Sequence, residues 1–101
     1  MNEKEVENYI LDNKRTAPRL NPDKIDATIN SVKYHVFDGT QTTVCCIVLL
    51  NGFTVIGESA CASPENFDMA LGRKIALDNA RSKIWALEGY LLKQKLYENK
   101  G

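Results

Sequence analysis

The sequence predicts an α+β fold: a three-stranded antiparallel β-meander over about 31–60, packed with a long C-terminal helix or helical hairpin over about 64–97, and short N-terminal helices. Three observations lead there. Runs rich in β-branched and apolar residues (SVKYHVF, TTVCCIVLL and FTVIGES) follow one another between turn signals. Asn51-Gly52 separates the last two runs, and this pair is the strongest short hairpin signal because both turn residues must accept positive φ. After Pro64 the spacing of apolar residues changes from strand-like to helical.

The elements follow in order. Val6, Tyr9 and Ile10 recur at helical spacing within 3–12, which predicts a short amphipathic helix, and residues 14–20, broken by Pro18, read as a linker. Asn21 suits a helix cap and Pro22 a first helical position, so a second short helix is expected over about 22–30. In the first strand Val32, Tyr34 and Val36 share one face, and Lys33, His35 and Phe37 the other. A two-residue turn at Asn51-Gly52 pairs Leu50 with Phe53, Val48 with Val55 and Cys46 with Gly57, and that face is expected to be the core. The opposite face, with Ile47, Leu49 and Ile56, is also apolar. A sheet apolar on both sides must be covered on both, by its own helices or by another subunit.

For the C-terminal helix Ser63 is the expected cap and Pro64 the first helical residue, with a break or kink at Gly89. One stripe holds Met69, Gly72, Ala76, Ala80, Ile84, Leu87 and Leu91. Its small members are four apart, so the helix can lie close on the sheet. Leu71, Ile75 and Trp85 form a second apolar patch, and two such patches predict self-association.

Composition bounds the function classes. The 101 residues predict a single domain, 1–101, and 13 basic residues balance 13 acidic ones. That balance argues against a general nucleic-acid or anionic-membrane coat. No run approaches the roughly 20 apolar residues that span a bilayer, and the acidic start does not read as a signal peptide. Cys45, Cys46 and Cys61 are an odd set without CxxC spacing, and His35 is the only histidine. Free thiols in a reducing cytosol are expected, with no metal site and no cofactor.

The stretches TVCCIVLLNGFTVIGESAC, PENFD, GRKIA and IWALEGYLL, with APRLNPDKIDATI and YHVFDGT before them, closely resemble a family of small phage and prophage proteins named after gene products forty-nine and sixty-six of two enterobacterial phages. The resemblance covers roughly residues 17–96 and departs at Met69-Ala70-Leu71, where it implies an acidic residue. It implies a phage genome and action in the cytoplasm of the infected bacterial host, without implying a settled activity.

Among single residues Arg73 stands out, because on a helical wheel it falls inside the apolar stripe. A guanidinium there needs either a carboxylate such as Glu58 or an anionic ligand. Arg81 and Lys74 read either as a solvated face or as further anion contacts. Trp85 reads as core or interface, or as a platform for a nucleobase. Asn51 and Phe53 at the hairpin tip read as turn chemistry or as ligand contacts. Nucleophilic catalysis lacks a base close to Cys61 or to any serine, so the chain is expected not to be an enzyme.

Two functions follow. The first is an oligomeric, non-enzymatic sponge that sequesters a nucleotide-type bacterial immune signal through Arg73, Arg81, Lys74, Trp85, Phe53 and Asn51. Its outline is similar to that of phage anti-defence sponges, which combine a small sheet with a helical hairpin. The second is a protein-binding inhibitor or regulator of a host enzyme. The partners expected are a second copy of the chain and a small nucleotide-type ligand, with no membrane and no general nucleic-acid binding.

Overall fold

The computed structural model describes residues 3–6 and 19–99. Residues 3–6 form a helical turn, and residues 7–18, with the rest of the expected first helix and most of the expected linker, lie outside the described residues. Then come α1 (Pro22–Ala27), β1 (Ile29–Val36), β2 (Thr42–Leu49), β3 (Thr54–Ala60), a 3-10 turn (Pro64–Asn66) and α2 (Met69–Glu98). The strands make one antiparallel sheet in the order β1-β2-β3, and α2 lies across β3 and β2. The α+β architecture is the one expected.

Four local expectations are corrected. Helix α1 stops at Ala27 rather than near residue 30. Asn21 caps it by accepting from the Lys24 N–H at 2.8 Å, and the Thr28 hydroxyl turns back to the Ile25 carbonyl at 2.7 Å. The Thr28 carbonyl then accepts from the Leu50 N–H, which draws the chain into the sheet at Ile29. The long helix begins at Met69, not at Pro64. Phe67 is extended, and the Asp68 side chain, not that of Ser63, caps the helix by accepting from the Leu71 N–H. Nor does α2 break at Gly89, because both flanks are long helical runs and Leu20 packs within 3.9 Å of where a Cβ there would stand.

The fourth correction concerns register. The Leu49 N–H donates to the Phe53 carbonyl and the Gly52 N–H to the Leu49 carbonyl, so the turn holds three residues, with Gly52 at φ +89°. Only Gly52, not Asn51, needs the left-handed region in such a bulged turn, and the Asn51 side chain instead accepts from the Phe53 N–H at 3.0 Å. One extra residue moves every pairing by one: Ile47 faces Val55 and Cys45 faces Gly57. Since strand side chains alternate, this slip exchanges the faces of β2. Cys45, Ile47 and Leu49 are buried, whereas Cys46 and Val48 lie on the other face and Leu50 is exposed.

The core is a thin layer of Ile25, Cys45, Ile47, Leu49, Val55, Ala76, Ala80 and Ile84. The small residues on α2 allow the close approach expected of them. A Cβ on Gly57 would stand 2.8 Å from the Ala80 Cα, and closer still to the Ala80 nitrogen and the Ala76 carbonyl oxygen. Helix backbone thus rests on strand backbone, and only glycine fits between them. At the next turn the Ser59 hydroxyl donates to the Gly72 carbonyl at 2.7 Å, and a Cβ on Gly72 would press on the Thr43 hydroxyl at 3.0 Å.

Candidate functional site

Helical spacing aligns Lys74, Asp78, Arg81, Ser82 and Trp85 along one side of α2. The turn at residues 3–6 forms the facing wall, and together they enclose a cleft of about 480 Å³ lined also by Glu3 and Lys4. Three of the residues singled out in the sequence therefore meet in one place.

Arg81 is the centre of this cleft. Its Nε and Nη2 both reach Asp26 Oδ1 at 2.9 Å, Nη2 donates to the Pro22 carbonyl at 3.2 Å, and Nη1 donates to Glu3 Oε2. Desolvation by itself would lower the pKa of this guanidinium, but the hydrogen bonds it donates to Asp26 and Glu3, with the charge of both carboxylates, outweigh it and the pKa is raised. Trp85 Nε1 donates to the same Glu3 oxygen at 2.6 Å. Lys74 pairs with Asp78 at 3.2 Å in an exposed i,i+4 contact, of a kind contributing about 0.2–0.5 kcal/mol. Of the cations on the cleft wall, only Lys4 lacks an opposite charge among the described residues. Arg81 therefore joins three segments (the N-terminal turn, α1 and α2), and each of its three side-chain nitrogens has an acceptor.

The other residues singled out lie elsewhere. Arg73 is exposed, which corrects its assignment to the buried stripe. It sits on the shoulder of that stripe towards β1, and its guanidinium stands over the Tyr34 ring, 5.4 Å from the centroid, instead of meeting Glu58. Tyr34 shares the helix side of the sheet with Cys45, and burial raises the pKa of both groups. Phe53 is exposed, and Asn51 lines a shallow hollow of about 270 Å³ with Leu50 and Glu88 at the opposite end of the sheet from Gly72. The six residues do not form one site.

Sequence reasoning missed Glu3, Asp26 and Tyr34. Glu3 and Arg81 are 78 positions apart, and nothing local links them. Gly57 carried a readable signal, since an isolated glycine inside a strand marks a close backbone approach.

The second apolar patch is likewise divided. Leu71 and Ile75 border a hollow of about 190 Å³ beside Cys61 and Phe67, while Trp85 turns into the larger cleft. Met69, Leu87 and Leu91, assigned to the packed stripe, are exposed, because α2 outruns the sheet at both ends. Thirty residues of helix measure about 45 Å, against about 27 Å for a strand of eight.

All three cysteines are free. Among the described residues no three His, Cys, Asp or Glu side chains gather as metal ligands, and no helix is long and apolar enough to cross a membrane. No curated protein and no solved structure matches the chain. The phage protein (N4 Gp49/phage Sf6 gene 66) family matches residues 20–96, and the chain belongs to that family.

Proposed function

We propose that this member of the phage protein family is a non-catalytic accessory protein of the infected bacterium's cytoplasm, and that it acts by holding a protein partner on the distal third of α2. The observation supporting this reading is the row of large side chains beyond the sheet: Tyr90 and Tyr97 are 71% and 70% exposed, with Leu87 and Leu91 beside them. Their spacing is that of an amphipathic helix entering a groove. Tyrosine supplies broad contact area at small conformational cost, and interface hot spots are enriched in it. A partner that covers this row buries apolar surface the monomer leaves in water.

The test uses the full chain as bait in an infected-cell lysate, beside a Tyr90→Ser/Tyr97→Ser variant. One host or phage protein should be captured at fixed stoichiometry by the parent and lost by the variant, with the melting temperature of the bait unchanged. Equal capture by both baits, or by neither, rejects the reading.

A second reading, the nucleotide-signal sponge, draws support from the cleft alone. Its volume lies within the range of about 300–1,000 Å³ usual for ligand sites, and Lys4, Lys74, Arg81 and Trp85 line it. The internal neutralisation of Arg81 and Lys74 weighs against it, since an incoming phosphate must displace Glu3 or Asp78. Cyclic dinucleotides, cyclic trinucleotides and ADP-ribose derivatives decide by thermal shift. A ligand at about 100 times its dissociation constant adds about 2.7 kcal/mol, or roughly 10 °C or more in a domain of this size.

A further inference from the structure

The face of the sheet turned away from α2 has no second layer among the described residues, and its pattern of charge and apolar surface is ordered. Alternation places Lys33 and His35 of β1, Val44, Cys46 and Val48 of β2, and Thr54, Ile56 and Glu58 of β3 on this side. The register arranges them in rows across the strands: His35, Val44, Glu58 in one, and Lys33, Cys46, Ile56 in the next. Basic groups therefore stand on one edge strand, a carboxylate on the other, and an apolar spine lies between them. Neither Lys33 nor Glu58 meets an opposite charge among the described residues. Ile56 is 43% exposed. Phe37 adds its ring to the basic edge, 4.7 Å from that of His35.

We infer that this face binds a second copy of the chain, related by a two-fold axis running along β2. Such an axis keeps the strands of the two sheets aligned, as in a β-sandwich, and lays β1 of each copy over β3 of the other. His35 then lies over the other copy's Glu58 in the same row. Lys33 is one row away, within reach of its flexible stem, and the Val44, Cys46 and Val48 spine packs on itself. A two-fold axis across the strands gives the opposite electrostatics, because β1 then covers β1 and β3 covers β3, so that each Lys33 faces the basic strand of the other copy and each Glu58 faces the strand that carries the other Glu58. Charge thus selects one axis over the other. Three strands about 4.8 Å apart and about 27 Å long present roughly 400 Å². That is about half of the ~800 Å² per partner typical of stable complexes, so dissociation is expected in the micromolar range.

Sedimentation equilibrium of the full chain from micromolar to millimolar concentration tests the inference. The parent mass should rise from 11.3 kDa towards twice that value. Glu58→Lys and Lys33→Glu should each weaken the dimer by about tenfold or more, with unchanged melting temperatures. The double swap Lys33→Glu/Glu58→Lys restores complementarity in a two-fold pair and should return the affinity to within a few-fold of the parent. A monomer at every concentration overturns the inference. So does a dimer indifferent to both single reversals, or folded single variants whose combination does not recover association. A dimer that Tyr90→Ser/Tyr97→Ser abolishes while the charge reversals leave it intact places the second copy on α2 and overturns it as well.

Discussion

One continuous helix plays two opposite parts in this protein. From Gly72 to Ile84, α2 turns Gly72, Ala76, Ala80 and Ile84 to the sheet, and the last three are fully buried. From Leu87 to Glu98 it turns Leu87, Tyr90, Leu91 and Tyr97 to water. The proximal part has the smaller side chains yet carries the packing, because close backbone approach excludes water and gains dispersion contacts along the whole seam. The distal part has more apolar surface and gains little from it within the monomer. Size of side chain is therefore a poor guide to which part stabilises the fold; proximity to the sheet decides.

Gly57→Ala should break the proximal seam most severely. The added methyl meets backbone atoms of Ala76 and Ala80, which cannot rotate away, so the whole helix must lift. Overpacking commonly costs about 1–3 kcal/mol; here a loss of about 3 kcal/mol or more is expected, lowering the melting temperature by more than about 12 °C. A melting temperature within a few degrees of the parent would mean the helix does not rest on the strand. Gly72→Leu tests the next turn of the same seam. On an exposed helix position this change gains nearly 1 kcal/mol of propensity, but pressure on the Thr43 hydroxyl should reverse the sign to a loss of about 1–3 kcal/mol.

The two arginines sharpen the comparison on a smaller scale. Arg81→Ala removes the tie between the N-terminal turn, α1 and α2, and leaves Asp26 and Glu3 partly solvated rather than buried. A cost of about 1–2 kcal/mol is expected in a denaturant titration, with no gain or loss of a nucleotide-induced shift. Arg73→Ala removes only a stacking contact with Tyr34 on an exposed shoulder and should cost no more than about 0.5–1 kcal/mol. Equal effects from the two would show that the tie at Arg81 holds the fold no more strongly than the Arg73–Tyr34 contact does.

The least of the expected effects is alkaline. Burial first, and the neighbouring Cys46 second, raise the pKa of the Cys45 thiol above its ordinary 9.0, and burial raises that of Tyr34 above 10.0. In the window between the unfolded and folded values the unfolded chain has already lost its proton and the folded one has not. Their contribution to stability is full below about pH 9 and declines as pH rises through the folded values. Cys45→Ala should flatten the alkaline slope of the melting temperature, whereas Cys46→Ala should leave a slope set by burial of Cys45.

Much of this architecture was legible in the chain because its signals are local. Alternation marked the strands, Pro22 after Asn21 marked the start of α1, and the four-residue spacing of Gly72, Ala76 and Ala80 marked the seam. Two of the boundaries that moved did so through competition between local signals: Asp68 over Ser63 as the cap of α2, and a bulged turn over a two-residue turn at Gly52. The second mattered most, since a single inserted residue decided which face of β2 became the core.

The sequence by itself determined the class of fold, the strand order expected of a meander, and the helix face able to approach a sheet. Each follows from periodicity and side-chain size over a few adjacent residues. Only the tertiary structure decided that Arg81 is consumed by Asp26 and Glu3, that Arg73 stacks on Tyr34, and that the residues suspected of one site lie at separate places. Charges meet through space and not through spacing, so a guanidinium's partner 78 positions away leaves no trace in the local pattern.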